Sequence, residues 1–82
     1  MMQGPLTDRE LQVLHLITLG YSNVQIAKIL NITLHTVKAH VQSILCKMPA
    51  KNRVQAAVMA SKNPEYQNES VISKIQLIDF DE

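Results

Sequence analysis

The side chains best equipped for chemistry gather in "LHTVKAHVQSILCK", residues 34–47: His35, Lys38, His40, Gln42, Ser43, Cys46 and Lys47. The segment holds imidazoles, amines, an amide, two hydroxyls (Thr36 and Ser43) and a thiol, and no carboxylate. The surroundings are the same. From Leu11 to Asn63 the chain has six bases (Lys28, Lys38, Lys47, Lys51, Arg53, Lys62) and no acid. From Pro64 to Glu82 it has five acids (Glu65, Glu69, Asp79, Asp81, Glu82) and one base, Lys74. A formal charge of +1 therefore hides a body of +6 and a tail of −4. Catalysis is disfavoured, because the body has no acid to orient a histidine and only one thiol. Metal binding is disfavoured too: His35 and His40 lie five apart, about 140° around a helix, with no second cysteine or carboxylate close by. No metal, no cofactor and no enzymatic activity are expected. An all-basic body points instead to a polyanionic partner.

These residues need helices to hold them, and the helix punctuation is clear. In "LTDREL", Thr7 is the N-cap and Glu10 closes a capping box, with Leu6 and Leu11 placed as its hydrophobic staple. Gly20 supplies the left-handed stop. "YSNVQI" repeats the device with Ser22, Gln25, Tyr21 and Ile26, and Asn31 ends that second helix after Leu30. Thr33 caps a third helix running through Lys47 until Pro49 stops it. A fourth begins after Asn52 and fades before Pro64. The expected fold class is all-α: a four-helix helix-turn-helix bundle spanning residues 6–63, with an acidic C-terminal extension over 64–82. In the extension, "SVISKIQLIDF" suits a strand and a helix alike.

A three-residue turn between the second and third helices forces a steep crossing. Ala27 allows the close approach, and Ile26, Leu30, Ile32 and Val37 fill the angle. This is the physics of a helix-turn-helix, whose second helix can lie in the major groove of DNA. At about 100° per residue, Val37, Val41, Ile44, Leu45 and Met48 form one arc facing the core. Opposite lie His35, Lys38, Ala39 and Gln42, a face suited to approach phosphates because it lacks acids. Thr36, His40, Ser43 and Lys47 flank it, where hydroxyls, an imidazole and an amine can meet backbone oxygens.

The run from "LTDRE" through "GYSNVQIA", "TVKAHV", "LCKM" and "KNR" with "QAA" resembles the DNA-binding output domain of the LuxR/FixJ/NarL (GerE-type) transcription factors. The resemblance covers residues 6–61 and rests on the joint spacing of these pieces. It implies a sequence-specific DNA-binding regulator of transcription whose third helix, about 34–47, enters the major groove and whose fourth helix pairs two subunits. Position by position, it implies base contacts for Lys38, Ala39 and Gln42. It implies backbone contacts for Asn23, Thr36, His40 and Arg53. Three departures stand out. Val24 and Gln25 replace the usual Lys-Glu, which removes a phosphate contact. Pro49 replaces the usual Gly, so the third helix must end differently. The family's upstream receiver or ligand-sensing domain is missing from a sequence with five residues before Leu6, which leaves either a stand-alone output domain or a piece of a larger regulator.

The fourth helix, "RVQAAVMAS", is apolar on two sides. Val54, Ala57, Val58 and Ser61 share one face; Ala56, Met59 and Ala60 share the other. One packs on the domain and the other is left for a homodimer, and the pattern does not choose between them; the expected seam is Ala56, Met59 and Ala60. Cys46 falls on the groove side, two turns beyond Lys38, as a buried or idle thiol or a redox-sensitive one beside Lys47. A single cysteine and the lack of any apolar leader or membrane-length stretch suit a cytoplasmic protein. The expected partners are double-stranded DNA and a second copy, with the acidic tail open to RNA polymerase or another protein. The rival reading is a protein-interaction module of the same fold, acting through the fourth helix or the tail.

Overall fold

Two residues in the left-handed region set where the first two helices stop. The computed structural model describes residues 5–77, and among them only Gly20 (φ 93°) and Asn31 (φ 57°) have positive φ. Helix α1 (Asp8–Thr18) ends two residues before Gly20, with Leu19 as its C-cap, and α2 (Asn23–Leu30) is capped by Asn31 itself. At both ends the chain folds back to satisfy late carbonyls: Tyr21 N donates to Leu16 O at 3.2 Å and Ile32 N to Ala27 O at 3.0 Å. This is the arrangement that lets a helix end without orphaned acceptors.

The starts are as specific as the stops. Thr7 and Ser22 both form full capping boxes, with Glu10 and Gln25 returning the bond to the cap amide. Thr33 caps α3 (Leu34–Lys47) and Asn52 caps α4 (Arg53–Lys62). Helix α3 ends without a left-handed residue. Its C-cap, Met48, is extended (φ −97°, ψ 149°), the conformation imposed on a residue that precedes proline.

Helix α1 is the hub, packing on α3 and α4, while α2 packs on α3. The core joins Val13, Leu14, Leu16 and Ile17 of α1 to Ile26 and Ile29 of α2, Val37 and Ile44 of α3, Met48, and Ala56 and Ala60 of α4. Val41 and Leu45 pack at its edge, as do Ala27, Leu30 and Ile32. The arc expected on α3 is the arc that packs.

The chain does not leave the domain at Asn63. A 3-10 turn, Pro64–Tyr66, and a short helix α5, Glu69–Ile72, bring it back onto α1. Val71 is buried, and Gln12 Nε2 donates to its carbonyl at 3.0 Å. Gln67 and Asn63 side chains cover the end of α4, donating to Ala60 O (3.0 Å) and Met59 O (3.1 Å). The described part of the extension is helical only over Pro64–Tyr66 and Glu69–Ile72 and irregular over residues 73–77, with no strand among the described residues. Ile78, Asp79, Phe80, Asp81 and Glu82 lie outside them.

Candidate nucleic-acid interface

The outward face of α3 carries Leu34, His35, Lys38, Ala39, Gln42 and Cys46, all exposed. The three residues expected to meet base edges, Lys38, Ala39 and Gln42, therefore share one open face, and Cys46 extends it. Thr36 and His40 stand half-buried at its margin. The Thr36 side chain is already engaged: its hydroxyl lies 2.9 Å from that of Thr33, whose oxygen accepts the Thr36 amide at 3.1 Å. Thr36 thus reinforces the cap that starts the helix. Helices α2, α3 and α4 each lack an acid in their first turn, so no carboxylate offsets the partial positive charge of those termini.

Two of the expected flanking groups turn inward. Ser43 and Lys47 do not face out beside Lys38; they reach α1. Ser43 Oγ donates to Glu10 Oε2 at 2.6 Å, and Lys47 Nζ donates to Glu10 Oε1 at 2.9 Å. Lys47 also reaches Pro5 O at 3.4 Å. Glu10 Oε1 accepts the Thr7 amide as well, at 2.9 Å. Burial by itself would raise the carboxyl pKa, but the Ser43 hydroxyl, the Thr7 amide and the Lys47 ammonium together outweigh it. They hold Glu10 at about 2, against an ordinary 4.5. Lys47–Glu10 is the ion pair found among the described residues. The acid-free stretch is real as sequence, but α3 does have an acid against its second half, brought by α1. No local spacing announces this contact, because Glu10 lies 33 residues before Ser43 in the chain.

Asn23 and Arg53, expected as separate backbone contacts, come together. Arg53 Nη1 donates to Asn23 Oδ1, and Nη2 donates to Tyr21 O at 2.7 Å. This joins the first residue of α4 to the first residue of α2.

The expected dimer seam needs correction. Ala56 and Ala60 are 1% and 3% exposed and belong to the core, and Met59 packs against it half-buried. Alanine wins the inner face because α4 lies against α1, where a small side chain lets two helices approach. The open face of α4 is the other one, with Val54 71% and Val58 47% exposed. Among the described residues no group of three or more metal-ligating side chains assembles, and no helix is long and apolar enough to cross a membrane.

Known proteins share this frame. The family model for bacterial regulatory proteins of the luxR family (GerE) matches residues 4–60. Response regulator protein VraR of Staphylococcus aureus is 49% identical over 55 residues, covering 67% of this chain and 26% of that protein. The proteins of the same name from Staphylococcus saprophyticus and Staphylococcus epidermidis match with the same figures. The chain thus spans 26% of the length of these curated relatives. No solved structure matches. The family match stops at Ala60, so the extension from Pro64 lies beyond it.

Proposed function

The chain belongs to the luxR family of bacterial regulatory proteins, and from that premise we propose that it is a sequence-specific DNA-binding regulator of transcription. In this reading α3 lies in the major groove, with Lys38, Ala39 and Gln42 toward base edges and Thr36 and His40 toward the backbone. The observation that carries it is the open, acid-free face of α3, opposite a packed arc of Val37, Ile44 and Met48. An amine can donate to guanine, an amide can pair with adenine, and a small methyl lets the helix come close. The relatives' name, response regulator, supports a regulatory role for the domain.

The reading includes a homodimer on a two-fold-related site, with Val54 and Val58 of α4 as the seam. It includes a protein contact, such as RNA polymerase, for the exposed acids Glu65 and Glu69 of the extension. It assigns no enzymatic step and no cofactor to the domain. The cytoplasm is the compartment in which such a regulator acts.

Salt dependence of duplex binding tests the core of this. A DNA reader loses affinity with a slope of about 0.9 log units per log unit of salt for each phosphate it neutralises. A steep slope, with tighter binding to a duplex selected from a random pool than to an unselected one, is the expected result. Flat salt dependence and no selectable duplex would overturn the DNA function and leave an interaction module of the same fold.

A further inference from the structure

We infer that Glu10 is a positioning residue for DNA reading: through Ser43 and Lys47 it sets the rotation of α3 about its own axis. The inference rests on the DNA-reading function proposed above. Glu10 is 5% exposed and sits on α1, so its carboxylate has no path to a duplex. Its first bond, to the Thr7 amide, is what a capping box needs. The other two go elsewhere, to two side chains one turn apart on α3, at 2.6 and 2.9 Å. Apolar packing of Val37 and Ile44 fixes which side of α3 faces inward, yet such contacts are non-directional. Charge-assisted hydrogen bonds are short and directional, and a pair of them on successive turns holds an angle.

That angle matters at the other side of the helix. Gln42 directly precedes Ser43, and Lys38 is just over one turn before it. A recognition side chain must sit within about 0.5 Å and 10–20° of its working geometry. With side chains about 5–6 Å from the helix axis, a turn of 10–20° displaces them by about 1–2 Å. That exceeds the tolerance. Releasing α3 from Glu10 should therefore blur base choice while leaving the charge of Lys38 available for phosphates.

The test compares a duplex selected by the wild-type protein with a random-sequence duplex of the same length, and reads the ratio of the two affinities. Loss of folded protein lowers both affinities equally, so a purely structural role does not move the ratio. Glu10→Gln keeps the size of the side chain and a cap acceptor; the ratio is expected to fall about tenfold, the worth of one impaired base contact. Ser43→Ala should lower it similarly, and the double variant no further than the worse single. Should Glu10→Gln not fold, Ser43→Ala alone decides. A ratio within about twofold of wild type in the folded variants overturns the inference and leaves DNA reading intact. A wild-type protein that selects no duplex overturns both.

Discussion

The Arg53 guanidinium donates to the side-chain oxygen of Asn23 and, at 2.7 Å, to the backbone oxygen of Tyr21. One side chain thus ties the start of α4 to the start of α2, the helix that braces α3. The same two residues are the ones a family resemblance would place on the DNA backbone. The two roles are compatible, because a guanidinium has five N–H groups and only two are accounted for in this pairing.

Arg53→Met should separate them. Loss of two hydrogen bonds to a charged donor at a half-buried position costs about 1–2 kcal/mol, read as a lower urea midpoint. If Arg53 also meets a phosphate, the salt slope of duplex binding drops by about 0.9. An unchanged slope with reduced stability leaves Arg53 as a tie between helices. Unchanged stability contradicts the tie.

Glu10 makes stability depend on acid. Its pKa is held at about 2 in the folded protein, against 4.5 for the ordinary group, so the folded state binds this proton more weakly than the unfolded state. The stabilisation is complete above about pH 4.5 and is lost as pH falls toward 2. It amounts to about 3 kcal/mol. Thermal melts of wild type and Glu10→Gln should differ most at pH 6–7 and converge only at about pH 2 and below. Parallel curves across that window would mean that the Ser43, Thr7 and Lys47 bonds do not set its titration.

How much of this was legible in the sequence follows from the range of each interaction. Caps and stops act over three or four residues, so Thr7, Ser22, Thr33 and Asn52 could be placed from spacing alone, as could Gly20 and Asn31. The packed arc of α3 follows from periodicity. The Glu10–Ser43 and Arg53–Asn23 bonds span 33 and 30 residues, and no local pattern announces them. Counting acids within a stretch therefore misplaced Ser43 and Lys47. On α4, ranking by hydrophobicity does not separate the faces, since the inner face is alanine and the outer face valine. In the extension, β-branched composition pointed both ways, and one buried valine and a bond from Gln12 decide for a short helix.

Lys38 and Gln42 should fail differently. Lys38→Ala is expected to weaken binding to a selected duplex by about 1–3 kcal/mol. Gln42→Ala is expected to relax preference at one base position with a smaller change in overall affinity. Titrations on selected and random duplexes check both. Wild-type values for both variants on both duplexes would remove α3 from base reading.

Cutting the chain after Asn63 should destabilise the domain. The cut removes buried Val71, the Gln12–Val71 bond and the Gln67 bond at the end of α4. Burying one valine is worth about 1.5–3 kcal/mol, so a loss of about 2–3 kcal/mol is expected, before counting Tyr66 and Ile75, which pack on the core. The acids leave at the same time. If they also compete with phosphates, binding to random duplex at low salt should tighten by the small amount exposed ion pairs allow, about 0–1 kcal/mol each. A truncated domain with wild-type stability would mean that the extension only rests on α1.

The two faces of α4 give opposite outcomes for the same substitution. Val58 lies on the open face, 47% exposed, and Ala56 in the core, 1% exposed. An aspartate at Val58 finds water in the monomer, so folding should be kept within about 0.5 kcal/mol. In a homodimer built on Val54 and Val58 it would be a buried charge with no partner, at a cost of about 3–5 kcal/mol. Ala56→Asp puts that charge into the domain itself and should unfold it without DNA present. Sedimentation of the protein on a duplex with two half-sites, together with circular dichroism of the free protein, reads both effects. A folded Val58→Asp protein that occupies only one half-site locates the seam on this face. If Val58→Asp still fills both half-sites at wild-type affinity, the subunits meet elsewhere.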